Sequence, residues 1–562
     1  MSPVWTTACL DWEQRIADGR SLVPCGPLYP EQAASDMEVF NAFRVVDVAG
    51  APTVGEIARP WISDFASAFF GSYNPENGKR SIRTFFLKVP KKNWKSGIAS
   101  FLMGTLLIRN WRESGEFGII APTTEVANNA FGPLKHAIRK DEELSDLLHV
   151  QDHIRTITNR STKATLQVVA AESDTVSGKK FIVTLVEELW QFGKRANADG
   201  MLMEATGGMA SRDEGAVIYI TTESDDAPAG VYLSKNLYAR KVRDGEVHDP
   251  SFMPVLYEWP TSMLREKAFL DVDNAHIVNP NFGASVSSEW MRTNFAEKRS
   301  EGDRAFQVFL AKHLNVEIGL TMRSDRWVGA DFWEQAAIPL SLEELLQRAE
   351  VVTAGVDGGG LDDLLGLTLI GRERGTRKWL VWSKAWAHEI VLTRRKEIAP
   401  RLRDFEKDGN LVIVARPGED IVQVADILCQ VRDYGVLPER NAIGVDRHGI
   451  GALISELESP GRDFVADQIQ GIPQGYQLMG AIKDTERMLA GGDMLHADTP
   501  LMNWCVGNAR VEQKGNAILI TKAISGSAKI DPLMALFDAA ALMALNPEGL
   551  GASFWETNLA AA

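Results

Sequence analysis

A β-rich run from Arg83 to Val89 breaks into Pro90-Lys91-Lys92-Asn93-Trp94-Lys95-Ser96, and a helical pattern starts at Gly97-Ile98-Ala99. Strand, loop, Lys-Ser and helix is the order in which a chain offers backbone N–H groups and a helix N-terminus to phosphates, with a lysine for the β/γ oxygens and a hydroxyl for Mg²⁺. Lys95 and Ser96 fill the last two roles, and Lys91, Lys92 and Asn93 line the loop between them and the strand. Val89 and Trp94 stand where such loops ordinarily carry glycine. A non-glycine residue in left-handed geometry costs about 1–2 kcal/mol, so Trp94 is expected to keep a negative φ or to leave the turn to Asn93.

Two later runs supply what a phosphate loop needs beside it. Phe181 to Val186 is an apolar strand ending in Glu187-Glu188. Glu187 would hold the shell of a Mg²⁺ ion, and Glu188 would polarise the attacking water as general base. The competing reading is an acidic helix start favoured by the helix dipole. Val217 to Thr222 is a second apolar strand, ending in hydroxyls where the γ-phosphate would be sensed, with Thr222 at its tip. Loop, acidic strand and Thr-Thr strand in this order predict an ATP-hydrolysing site with ATP and Mg²⁺ as its cofactors.

At 562 residues the chain exceeds what one core supports, since cores stop growing at roughly 250 to 300 residues. The predicted class is α/β: a P-loop domain with a parallel-rich sheet, followed by a second domain with a mixed sheet. Residues 1–55 read as an irregular lead-in, 56–340 as the first domain and 341–562 as the second. Strands are expected at Arg83 to Val89, Glu116 to Ala121, Phe181 to Val186 and Ala216 to Thr222. The second domain should carry Val351 to Asp357, Leu364 to Gly371, Lys378 to Ser383, Leu411 to Ala415, Ala442 to Asp446 and Asn516 to Lys522. A helix should precede them at Ser341 to Glu350, and an apolar one should close the chain from about 531.

The net charge of -15 gives no whole-molecule attraction to nucleic acid, so any DNA contact must be local. Arg240-Lys241-Val242-Arg243 is one candidate patch; a solvated face is the other reading. The four cysteines show no metal-binding spacing, and neither a signal peptide nor a membrane span is legible, which places the expected chain in the cytoplasm.

In the second domain, carboxylates fall at strand ends. Asp357 closes one strand ahead of Gly358-Gly359-Gly360, and Asp446 closes another ahead of Arg447-His448-Gly449. The final helix offers Asp531 at its start and Asp538 two turns later on the same face. Phosphodiester cleavage by two metal ions about 4 Å apart calls for such a convergence on Mg²⁺ or Mn²⁺. His448 would orient water or touch phosphate, or merely sit at a helix start; no histidine pair has zinc-helix spacing.

Taken in order, Val-Pro-Lys-Lys-Asn-x-Lys-Ser, Ile120-Ala121-Pro122-Thr123, Glu-Glu-Leu-Trp, Ile-Thr-Thr and Val278-Asn279-Pro280-Asn281-Phe282-Gly283 resemble successive motifs of the large terminase subunit of tailed bacteriophages. The resemblance spans roughly residues 55 to 545. It implies an ATPase that drives double-stranded DNA into a procapsid, joined to an RNase H-like nuclease that cuts concatemers. The family carries Asp at the position of Glu187 and often Gly at that of Trp94. Its last motif reads much like Lys529-Ile530-Asp531, which favours Asp531 as third ligand and keeps Asp538 in reserve; Asp363 falls near a family position as a metal ligand or a group behind one.

By the same resemblance the partners would be a portal protein, a small terminase subunit and copies of the chain itself in a ring of five, docked at the portal vertex of the procapsid. A trans-acting arginine would be Arg139, Arg155 or Arg160. Two other readings stay open: a helicase-like or repair ATPase with an appended nuclease, told apart by strand separation, and an inactive module that kept the fold.

Overall fold

The computed structural model describes residues 4–171, 179–195, 198–318, 327–396, 398–446, 451–514, 517–521 and 529–549. The chain divides into two compact units, residues 1–318 and 319–562.

The first unit is built on an eight-stranded sheet. In chain order its strands are β1 (Thr84–Lys88), β2 (Glu116–Ala121), β3 (Leu148–Gln151), β4 (Thr156–Asn159), β5 (Thr165–Ala170), β6 (Val183–Glu187), β7 (Ala216–Thr221) and β8 (Phe252–Leu256). They lie in the order β8-β1-β7-β6-β2-β5-β4-β3. The first six pair in parallel, and β4 and β3 join antiparallel at one edge. Strands covered on both faces read as continuous apolar runs, which is why β1, β2, β6 and β7 are visible in the sequence. By contrast β3 and β4 are short and polar, and β8 carries Pro254, which only an edge strand tolerates.

Register places Lys88 of β1 opposite Thr221 of β7, and Glu187 of β6 opposite Ile220. The three sequence motifs therefore leave the sheet side by side at its carboxyl edge, where α/β sheets bind ligands. The lead-in carries helices Trp12–Ala17 and Pro30–Ala42 and packs on this unit: Phe40 and Phe43 are buried, and the Phe43 ring stacks on Phe101 at 5.1 Å.

The second unit carries another eight-stranded sheet. Its strands are β9 (Ala337–Ile338), β10 (Ala349–Gly358), β11 (Leu364–Glu373), β12 (Trp379–His388), β13 (Leu411–Val414), β14 (Ile443–Asp446), β15 (Ile469–Ile472) and β16 (Met494–Ala497). The order is β9-β16-β12-β11-β10-β14-β15, with β13 also paired to β12. Only β11 runs antiparallel to its neighbours.

This unit begins earlier than the expected 341. Trp327 and Trp333 are buried in its core, Trp333 stacks on His496 at 3.8 Å, and β9 pairs with β16. The expected helix forms at Leu342–Arg348, capped by a Ser341–Glu344 box, inside this unit. The strand expected at Asn516 to Lys522 is outside the sheet: Ala517–Thr521 forms a separate antiparallel hairpin with Arg510–Lys514.

The closing helix α1 (Asp531–Met543) lies on the sheet at backbone contact. A Cβ on Gly355 would sit 1.9 Å from the Ala535 carbonyl oxygen, one on Gly366 2.6 Å from the Pro532 nitrogen, and one on Gly444 2.9 Å from the Asp538 oxygen. Hydroxyls anchor the helix: Thr353 Oγ1 donates to Ala539 O at 2.9 Å and Thr368 Oγ1 to Pro532 O at 2.8 Å. Glycines and threonines on one face of β10, β11 and β14 thus form its seat.

Candidate functional site

The first site lies at the carboxyl edge of the first sheet, in a cleft of about 710 Å³ lined in part by Lys91, Lys92, Trp94, Lys95, Ser96 and Glu188. The helix Lys95–Arg109 follows the loop directly. Ser96 Oγ donates to Glu187 Oε1 at 2.8 Å, while the buried Glu187 Oε2 has no hydrogen-bond partner among the described residues. Burial pushes the Glu187 carboxyl up to about 8, against the Ser96 hydrogen bond and with the Glu188 charge adding to it. A hydroxyl and an orphaned, poorly solvated carboxylate oxygen fit a divalent cation.

Lys95 is buried, its Nζ 3.3 Å from Val89 O and 3.8 Å from Glu188 Oε1. Burial lowers its pKa, and Glu188 and Glu187 oppose that shift. Glu188 has a left-handed backbone at φ 52°, and its Oε2 accepts from Trp190 Nε1 and from Thr222 Oγ1 at 3.3 Å. The structure therefore brings Lys91, Lys92, Lys95, Ser96, Glu187, Glu188 and Thr222 to one place. Asn93, also in the loop, is fully buried and points away from solvent.

The expected turn geometry is not what forms. Trp94 itself is left-handed at φ 62° and so is Lys92 at φ 72°, while Asn93 is not among the positive-φ residues. The Trp94 ring lies over Gly97, where a Cβ would be 2.3 Å from it, so packing offsets the backbone strain.

Four residues in or beside the site were not legible. Val45, Val46 and Asp47 line the same cleft. Lys312 is buried, its Nζ donating to Glu223 O at 2.7 Å and lying 2.9 Å from the Trp190 ring centre. Burial lowers its pKa to about 7. Nothing in its helical stretch distinguishes Lys312 from a surface lysine.

The Arg240–Arg243 patch is overturned as a DNA surface. Arg240 donates to Glu258 and Glu317, and the buried Arg243 donates to Glu258 at 2.9 Å. Two of its three cations are spent inside the unit. Of the arginine candidates, Arg139 pairs with Asp152, Arg160 meets His149 and Arg155 donates to Asn128, which lines the cleft.

The second site lies on the glycine-seated face. Val356 pairs with Val445, so Asp357 and Asp446 end adjacent parallel strands on the face that α1 covers. The Asp531 backbone lies on Gly366, the residue opposite Asp357. At the other end of the contact, Asp538 Oδ1 accepts from Gln474 at 2.9 Å, and its buried Oδ2 has no hydrogen-bond partner among the described residues. Burial raises the Asp538 carboxyl to about 8, with Gln474 opposing and the Asp446 charge adding. Asp363 accepts from Lys529 at 2.8 Å and so stands behind the edge. His448 lies outside the described residues.

Asp357, Asp446 and Asp531 do not close on one point as expected: among the described residues no group of three or more His, Cys, Asp or Glu side chains could hold a metal ion. The reason is geometric. Seven residues of helix advance about 10 Å, so Asp531 and Asp538 serve opposite ends of a two-strand span. Asp446 and Asp538 lie close enough for their charges to interact, and a buried Asp538 oxygen left without a hydrogen bond among the described residues fits a divalent cation beside them.

A family model for the terminase large subunit, endonuclease domain, matches residues 257–546, more than half of the chain. The chain belongs to the large terminase family. The matching model describes the endonuclease domain of that family. The fold is similar to the crystal structure of the HK97 bacteriophage large terminase, at 18% identity over 91% of this chain and 99% of that one, TM-score 0.47. It is also similar to the large terminase of a thermophilic bacteriophage in complex with ADP, at 10% identity over 84% of this chain and 96% of that one, TM-score 0.27. The large terminase nuclease of thermophilic phage G20c with bound magnesium is similar at 14% identity over 39% of this chain and 97% of that one, TM-score 0.25. No curated protein matches the chain. Among the described residues of this terminase no helix is long and apolar enough to cross a membrane.

Proposed function

We propose that this terminase hydrolyses ATP at Lys95, Ser96, Glu187 and Glu188 to move double-stranded DNA, and cuts that DNA with Asp357, Asp446, Asp531 and Asp538. The observation that carries the first half is the Ser96–Glu187 hydrogen bond with Glu188 3.8 Å from Lys95: the two Mg²⁺ ligands and the base meet at the loop's helix. Lys91, Lys92 and Lys95 neutralise the phosphates, Thr222 reports the γ-phosphate to β7, and Glu188 takes the proton of the attacking water. Ser96 and Glu187 would hold magnesium, which would supply positive charge at the phosphates.

At the second site the four aspartates would hold Mg²⁺ or Mn²⁺, which supplies Lewis acidity at the scissile phosphate. The helix α1 fixes Asp531 and Asp538, the strands fix Asp357 and Asp446, and Gln474 orients Asp538. The cofactors assigned are of the kinds bound in two other large terminases, ADP in one and magnesium in the G20c nuclease. Domain limits of 1–318 and 319–562, a portal protein and a small subunit as partners, a five-membered ring and work in the host cytoplasm at the portal vertex complete the reading.

The test is paired. Lys95→Ala and Glu188→Gln should abolish DNA-stimulated ATP turnover and spare plasmid cleavage in Mg²⁺ or Mn²⁺. Asp357→Ala should do the reverse. Full ATP turnover in Glu188→Gln overturns the base assignment, and ATP-driven unwinding of a forked duplex would favour a helicase.

A further inference from the structure

The segment Val278–Gly283, a family landmark without a role in the chemistry above, grips the phosphate loop. Asn93 Nδ2 donates to Asn279 Oδ1 at 2.7 Å and to Pro90 O at 3.2 Å, and Asn93 Oδ1 accepts from Asn281 N at 3.0 Å. Asn279 is held in turn by the carbonyls of Ala275 and His313, both at 2.9 Å. Trp61 Nε1 donates to Asn281 Oδ1 at 2.8 Å, and Asn281 Nδ2 donates to Ser285 Oγ at 3.1 Å. Ser285 Oγ then donates to Lys92 O at 2.6 Å.

These contacts fall on the left-handed Lys92 and on Asn93. Lys92 and Trp94 are left-handed, and Asn93 lies between them with its side chain fully buried. A glycine loop adopts such angles without penalty, whereas a lysine and a tryptophan do so only where the surroundings over-determine them. Asn279 precedes Pro280, whose ring restricts the preceding residue to extended backbone and so stiffens the gripping segment.

We infer that Asn93, Asn279, Asn281 and Ser285 form a clamp that holds a loop whose Lys92 and Trp94 are left-handed without being glycine, making Asn279, Asn281 and Ser285 positioning residues of the nucleotide site. The inference rests on the ATP-site reading above and adds a partner segment to it, nearly two hundred residues downstream of the loop. A clamp of this kind has a signature that ordinary buried hydrogen bonds lack: it matters less once the strain is removed.

The experiment is a double-mutant cycle on the full chain with Asn279→Ala, Trp94→Gly and both, read by titration with a fluorescent mant-ATP and by urea unfolding midpoint without nucleotide. Asn279→Ala should weaken mant-ATP binding about tenfold in the parent and about threefold or less in the Trp94→Gly background. The urea midpoints should couple in the same sense. Equal factors in both backgrounds overturn the clamp. Should Asn279→Ala fail to fold, the exposed Ser285→Ala against Lys92→Gly reads the same coupling through the Lys92 carbonyl. Lys95→Ala separates the two readings: unchanged mant-ATP binding there refutes the ATP site, while the urea cycle still decides the clamp by coupling or additivity.

Discussion

Replacing Gly355 by alanine puts a methyl group where α1 already lies. The added Cβ would be 1.9 Å from the Ala535 oxygen and 2.7 Å from the Ala539 nitrogen. Carbon and carbonyl oxygen meet without overlap at about 3.3 Å, so the helix must retreat by more than about 1 Å. Both obstructing atoms are backbone, and no rotamer change relieves them. A radial gap of that size forfeits up to half of each dispersion contact along the interface. The helix buries Leu533, Leu536, Phe537, Leu542 and Met543 there, so the expected cost is about 3 kcal/mol, at the upper end of ordinary overpacking. The retreat also lifts Asp531 and Asp538 from Asp357 and Asp446. Urea unfolding, plasmid cleavage in Mn²⁺ and ATP turnover should be measured together. The second unit should unfold at lower urea and cleavage should collapse, while ATP turnover, resting on a separate sheet and core, keeps its rate. Gly480→Ala, which meets open space, is the control and should be near neutral. A Gly355→Ala protein with parental midpoint and cleavage would refute the close seating of the helix.

Trp190→Phe keeps a ring under Lys312 and removes the N–H that Glu188 accepts; kcat for ATP should fall about tenfold or more with KM little changed, as for loss of a hydrogen bond to a charged group. Asp531→Asn and Asp538→Asn should each reduce plasmid cleavage by at least about tenfold, and full cleavage in either removes that residue from the site. Glu258→Gln strands Lys88, Arg240 and Arg243 without their shared carboxylate and should destabilise the first unit by about 3–5 kcal/mol in urea unfolding. Burial alone would raise the Glu258 pKa, but Arg240, Lys88 and Arg243 hold it well below the usual carboxylate range. Its stabilisation is therefore complete above the unfolded value near 4.5 and is lost as pH falls through the folded value, so the gap between parent and Glu258→Gln should narrow only in acid. A gap that narrows between pH 8 and 6 instead would contradict that assignment.

Chemistry at strand ends was legible because it is locally written: an apolar run followed by Lys-Ser, Glu-Glu, Thr-Thr or a lone Asp places reactive groups at the carboxyl edge of a sheet whatever the topology. The strand limits of Glu116–Ala121 matched for the same reason, an apolar run bounded by charge. What needed distant partners was hidden. Arg240 and Arg243 read as a basic patch because Glu258 and Glu317 lie further along the chain. Lys312 reaches Trp190, and Val45 to Asp47 become a wall of the cleft, only through packing. The left-handed Trp94 defied local propensity because its ring finds Gly97 and its neighbour finds the asparagines. Gly355, Gly366 and Gly444 look in sequence like strand weaknesses, and in space they are the floor for a helix.

That floor and its helix also set a timetable for a chain emerging N-terminus first from the ribosome. Thr353 and Ala539, joined by one hydrogen bond, are 186 residues apart. The ATPase sheet has all its strands once Leu256 is out, whereas the DNA-cutting face stays open until Met543 has been made. Nascent terminase can complete its motor long before it acquires a blade.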